Sequence, residues 1–345
     1  MRGRPQHVVA RSYLGGNLKR ITTIAAALAL ACAAVAMFAG ALLAQTGPKV
    51  YEACASGRQE IRAGALPAVV DEDRCPVEGR TIVDGGVGVV VPEPGMTIAA
   101  HGRSTSGDQY LMVSNPRGDE ISFEGVGTEP RSEASSDLGT LSTGPSPCND
   151  AYRNRLGYKL YNYNRWYANV GSIPGYLSKK GAVAAMKRGG VNIFKVQDSC
   201  GIPDRVKGEL RYEGGTSRSA DIDADASCNA NDGKSVIGFG DLPSGYTAYA
   251  CVSSWNVNDG PDRVASSDIR LNKEDHAWTA GGGSCGGRYD VESSVTHERG
   301  HTFGLGEAPE SSHGNLTMSA ESNGPCQTSE RSLGLGDAKG LNSKY

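Results

Sequence analysis

The sequence predicts an α+β chain, with a small β-rich unit at residues 46–128 followed by a larger domain of strands and helices at 148–345. Three observations carry this. Short Val/Ile-rich runs alternate with Gly, Pro, Asn and Asp, which is strand-and-turn chemistry. The run KGAVAAMKRGGVNIF, from Lys180 to Phe194, places apolar residues at helical spacing and should form a helix packed behind a sheet. Finally, His297 and His301 stand four residues apart, so on a helix both imidazoles leave one face, one turn apart.

Residues 1–45 come first. Arg2, Arg4, Arg11, Lys19 and Arg20 precede an uncharged apolar run from Ile21 to Ala44, the pattern of an export signal. Ala39-Gly40-Ala41 offers a small-residue cleavage site, and cleavage is the expected fate. Uncut, the run is long enough as a helix to cross a bilayer core of ~30 Å, giving an anchored protein with its C-terminal part outside. Nine cysteines are present, and beyond Cys32 an even set remains, which in an exported chain indicates disulfides. Pairing in order (Cys54 with Cys75, Cys148 with Cys200, Cys228 with Cys251, Cys285 with Cys326) closes the shortest loops, although sequence alone does not choose among the alternatives.

Within 46–128, TIVDGGVGVVVPEPG, MTIAAHG, QYLMVSN and EISFEGVG read as strands. No catalytic constellation is visible there, and His101, standing alone, reads as a surface histidine. The unit suits either an accessory binding role or a propeptide that covers a cleft. Residues 129–147 turn to Ser, Gly, Pro, Thr and acidic residues, the composition of a linker. Beyond it, the aromatic cluster at 157–170 has no basic run interleaved and reads as packing. SVIGFGDL, YTAYACVSSWNV and SSDIRLN supply further strands. The formal charge is -3 and no Lys/Arg block follows residue 20, so nucleic acid is not an expected partner.

The stretch from Val295 to Met318, VTHERGHTFGLGEAPESSHGNLTM, concentrates the chemistry. His297 and His301 suit two ligands of one metal. Glu298 lies beside the first as a general base, Gly304 can turn the chain back in a left-handed conformation, and Glu307 follows at the third-ligand spacing. His313 is the alternative third ligand.

At His297, Glu298, His301, Gly304 and Met318 the chain resembles the metzincins, zinc peptidases with HExxHxxGxxH and a methionine turn. It departs from them at Glu307, where the family has His or Asp; a carboxylate oxygen is still an acceptable zinc ligand. Asp268–Asn272 with Trp278, and the C-terminal LGLGDAKGLNSKY with Asp337 as helix N-cap, resemble the matrixin branch. The resemblance implies a metzincin-like catalytic domain of twisted mixed sheet, backing helix and active-site helix (291–303), with zinc held by His297, His301 and Glu307. It also implies Glu298 as proton acceptor and Met318 as an apolar floor. The activity implied is that of an exported zinc endopeptidase acting on protein or peptide substrates. The alternative is an exported binding protein whose zinc domain is catalytically attenuated, because Glu307 in place of a neutral ligand weakens the metal as a Lewis acid.

Two further motifs are weighed against this. Cys200-Gly201-Ile202-Pro203-Asp204 resembles the cysteine switch of matrixin propeptides, but it follows a helix of the catalytic domain itself, so a disulfide is expected. Asp221, Asp223 and Asp225 are spaced like the opening of a calcium loop. However, Ala226 stands where the turn needs glycine, which leaves Ca2+ a lesser expectation than Zn2+.

Overall fold

Strands β12 (Ser235–Gly240), β13 (Tyr246–Trp255) and β14 (Asp262–Asn272) form the centre of a ten-stranded sheet, in which β14 lies between the other two. They coincide with the Val/Ile/Ala runs read as strands, and most of their residues are buried, as central strands covered on both faces should be. The computed structural model describes residues 52–55, 57–105, 107–125, 144–281 and 285–345. The expected export signal and most of the expected linker lie outside these residues.

On one side of this centre the sheet is parallel: β14 pairs β12, β12 pairs β9 (Tyr163–Asn169), and β9 pairs β10 (Glu209–Thr216). On the other side it is an antiparallel meander. β13 pairs β5 (Met96–Ser104), which continues through β6 (Asp108–Asn115) and β7 (Glu120–Gly125) to β2 (Val69–Asp71). The short β8 (Tyr158–Lys159) pairs the start of β14.

A second, four-stranded sheet joins β1 (Glu60–Arg62), β3 (Thr81–Asp84), β4 (Val87–Val90) and β11 (Ser227–Cys228). The close approach of β11 to β4 requires Gly88, since a Cβ there would collide with the Ser227 side chain. β15 (Trp278–Thr279) and β16 (Tyr289–Asp290) form a small separate ladder.

The expected α+β fold, with a β-rich unit preceding a metzincin-like domain, is therefore corrected. The molecule is mostly β, with few helices, and its main sheet runs through both halves of the chain. The physical reason is the second edge of β13, whose backbone N–H and C=O groups need partners when buried. Strand β5 supplies them in register from Trp255 opposite Met96 to Tyr246 opposite Ser104. The core likewise crosses the expected boundary: Val70, Ile82, Val89, Ile98 and Leu111 pack with Ile222, Cys228, Val236 and Tyr249. Residues 51–345 form one compact unit.

Five α-helices are described, besides two short 3-10 turns at Ala63–Ala65 and Ser329–Arg331. Two are single turns: α1 (Glu52–Ala55) and α4 (Glu310–His313). The expected backing helix is α2 (Lys179–Phe194), whose N-cap Ser178 accepts the Gly181 N–H. It packs against α3 (Val291–Thr302), the helix of the two histidines, over a core containing Ala182, Ala185, Met186, Ile269 and Val295. Gly189 permits the contact, because a Cβ would meet the Val295 side chain and the Glu292 carbonyl. The last helix, α5, is Leu335–Lys344. Its N-cap is Gly334 rather than the expected Asp337, which lies three residues further on and accepts the Gly334 N–H at 3.0 Å.

All four disulfides pair in chain order: Cys54–Cys75, Cys148–Cys200, Cys228–Cys251 and Cys285–Cys326. Cys200 is thus a structural half-cystine. This disulfide content fits an extracellular, oxidising setting. No described helix is long and apolar enough to cross a membrane.

Candidate metal centre

Helix α3 starts where Asp290 accepts the Ser293 N–H at 2.8 Å, and the same carboxylate is paired with Arg331. Every residue of α3 is buried, including His297, Glu298 and His301, so the helix presents its polar side chains to the interior. Such burial is stable only where those groups find partners or a ligand.

The two imidazoles are oriented from behind. His297 Nδ1–H donates to the Thr317 carbonyl at 2.8 Å, and His301 Nδ1–H donates to the Leu305 carbonyl at 2.9 Å. A carbonyl oxygen can only accept, which fixes the proton on Nδ1 of each neutral ring. Both Nε2 lone pairs then face forward, 3.3 Å apart, and Glu307 Oε1 closes the triangle at 3.1 Å from His297 and 2.9 Å from His301. With both rings neutral, three acceptor atoms face one point, a donor set suited to a metal ion or to a shared proton.

The backbone that delivers these atoms is specified locally. Gly304 has φ +81, the left-handed turn expected of it, and a Cβ there would strike the Tyr158 carbonyl. The chain then doubles back to Glu307. Met318 is buried under α3, and a Cβ on Gly300 would fall inside the contact distance of its sulfur. The glycine between Arg299 and His301 therefore makes room for the Met318 side chain, a relationship the motif alone does not announce. Glu298, beside His297, has both carboxylate oxygens buried without a hydrogen-bond partner.

The charges of the cluster are interdependent. Burial alone would raise the Glu307 carboxyl, but the two imidazoles outweigh it and hold Glu307 below the usual carboxylate range. Burial would lower His301, yet the Glu307 carboxylate reverses that and holds it above its ordinary value. Glu298 is pushed up, chiefly by burial, with His297, His301 and Arg103 pulling the other way.

His297, Glu298, His301 and Glu307 thus come together. His313 does not join them: its Nδ1 bonds the Asp150 carboxylate at 2.9 Å, and its ring stacks on Tyr152 at 4.1 Å. Among the described residues, the donor groups that converge draw on His101, His297, Glu298, His301 and Glu307; Asp221, Asp223 and Asp225 form no such group.

His101 corrects the surface reading. It is buried on β5 and lies flat against His301, ring centroids 3.9 Å apart and planes 9° apart, with its Nε2 3.1 Å from the Tyr158 hydroxyl. Burial, then His301, lowers its pKa well below the usual histidine value. Arg103, two residues on, is buried against Glu330, an ion pair that holds its pKa above normal despite burial. The signal that could have found them is the apolar run Ile98–Ala100 directly before His101, which marks a strand covered on both faces.

No family model matches the chain, and no curated protein matches its sequence.

Proposed function

We propose that the chain is an exported zinc-dependent endopeptidase, with His297, His301 and Glu307 as the ligands and Glu298 as the general base. The observation that carries this is the convergence of two Nε2 lone pairs and one carboxylate oxygen at 2.9–3.3 Å. Ligands about 2.0–2.1 Å from a tetrahedral zinc stand roughly 3.3–3.4 Å from one another, so the donor set fits that ion in kind and in spacing. The two carbonyls behind the imidazoles supply the outer hydrogen bonds that metal-ligating histidines require.

When bound, zinc lowers the pKa of a coordinated water towards about 7 and polarises a peptide carbonyl. Glu298 is the group left to move protons. Its oxygens have no other partner, and burial lifts its carboxyl towards the range in which it can both accept and return a proton. It takes the proton of the attacking water and delivers it to the leaving amine, a contribution worth about 10² to 10⁴ in rate. Met318 and Gly300 form the apolar floor that keeps α3 seated. The four disulfides suit work in an extracellular or cell-envelope setting.

The test is hydrolysis of an unstructured protein such as casein by the full chain and by Glu298→Ala. The reading expects cleavage, however slow, that a chelator abolishes and that Glu298→Ala lacks while retaining its metal. Cleavage that survives Glu298→Ala would overturn it.

A further inference from the structure

The buried face of β5 plays no part in the proposed chemistry and yet touches the centre that performs it. β5 takes the edge of β13 in antiparallel register, with His101 opposite Ala250 and Ala100 opposite Cys251. His101 and Arg103, two residues apart on a strand, project from the same face. The His101 ring covers His301, and its donor nitrogen lies within 4.8 Å of the ligand atoms of His301 and Glu307. Its Nδ1 is buried and has no hydrogen-bond partner.

The strand is clamped in this position. Arg103 donates to the Glu330 carboxylate and, at 2.9 Å, to the Glu321 carbonyl, and the Ser322 N–H donates to the Ser104 carbonyl at 3.1 Å. His297, Glu298 and His301 each have 0% exposure, and the Glu307 side chain has 9%. A catalytic zinc site keeps one position open, and an extended peptide is commonly bound by adding a strand to a sheet edge. Here the edge of β13 and the space before the ligands are both filled by the chain itself.

We propose that β5 is a built-in occupant of the substrate groove, its backbone filling the edge of β13 and His101 stoppering the metal centre, so that the folded chain is a latent form. This rests on the zinc-peptidase reading and adds regulation to it: the centre becomes competent only when β5 leaves that edge. Opening is resisted by the core, because Ile98 and Ala100 pack with Val87, Val89 and Tyr249.

The experiment uses the full chain loaded with Co2+ in place of zinc, whose visible absorption reports its coordination, and acetohydroxamate as a small probe of the open position. His101→Ala removes the stopper while leaving every ligand in place, and His101→Ser is the second variant should the first fail to fold. Acetohydroxamate should bind the variant about tenfold or more tightly than the parent, the gain expected when a closed state holding about nine-tenths or more of the population is removed. Equal affinity and equal spectral response in parent and variant would overturn the proposal while leaving the metal centre intact. Failure of both proteins to retain cobalt would overturn the peptidase reading and this inference together.

Discussion

Asp337 and His297 are joined through a single residue: the Asp337 carboxylate accepts the Thr317 N–H at 2.8 Å, and the Thr317 carbonyl accepts His297 Nδ1–H at 2.8 Å. The carboxylate therefore fixes the peptide that fixes the imidazole. Outer partners of this kind are worth about 10- to 100-fold in metal affinity. Asp337→Ala should weaken zinc binding by about that factor in a chelator-competition titration, with the four proposed site residues unchanged. An unchanged affinity would mean that the turn at Thr317 holds itself.

The same residue makes a pH prediction. Burial pushes the Asp337 carboxyl from its ordinary 3.8 up to about 6, against hydrogen bonds from Gly334, Thr317 and Met318 that pull it down. Because the folded value exceeds the unfolded one, the native state binds the proton more tightly. The contribution is fully present below about pH 4 and is lost as pH rises through about 6, a change of about 3 kcal/mol. In the metal-free protein, urea unfolding of Asp337→Asn should show a flatter stability profile between pH 4 and 6 than the parent. Parallel profiles would place the titration elsewhere.

Gly300 and Met318 should behave as a coupled pair. Alanine ordinarily favours a helix interior over glycine by about 1 kcal/mol. At position 300 its Cβ meets the Met318 sulfur, so Gly300→Ala should instead destabilise by about 1–3 kcal/mol, the range for overpacking. Adding Met318→Ala should recover part of that loss, and a double-mutant cycle in urea measures the coupling. Strict additivity would show that the two do not share the space.

His313 provides a control for the ligand set. Its ring is held by Asp150 and Tyr152, away from His297 and His301. His313→Ala should lower stability by about 1 kcal/mol, as loss of a partly buried hydrogen bond and a stacked ring does, and leave zinc content unchanged. Zinc loss in this variant would mean that the turn carrying Glu307 depends on His313.

Local features of the chain were legible in its sequence. The helix expected at 180–194 forms at 179–194, the Val/Ile runs become strands, and Gly304 takes the left-handed turn expected of it. The four cysteine pairs follow the chain order expected of them. Partnership between distant segments was not legible. Nothing within MTIAAHG states that its backbone pairs with YTAYACVSSW some 150 residues later, since ladder hydrogen bonds carry no side-chain code. That single pairing turned an expected pair of domains into one sheet and brought His101 to His301. Asp suits both the N-cap and the first turn, and here Gly334 is the cap while Asp337 sits in the first turn and accepts the Thr317 N–H.

The central claim is that His297, His301 and Glu307 hold a zinc ion. It is tested most directly by measuring zinc content after exhaustive dialysis of the full chain and of Glu307→Ala, side by side. Stoichiometric zinc is expected in the parent and its loss in the variant. A parent that retains no zinc, or a variant that retains it in full, would contradict this ligand set.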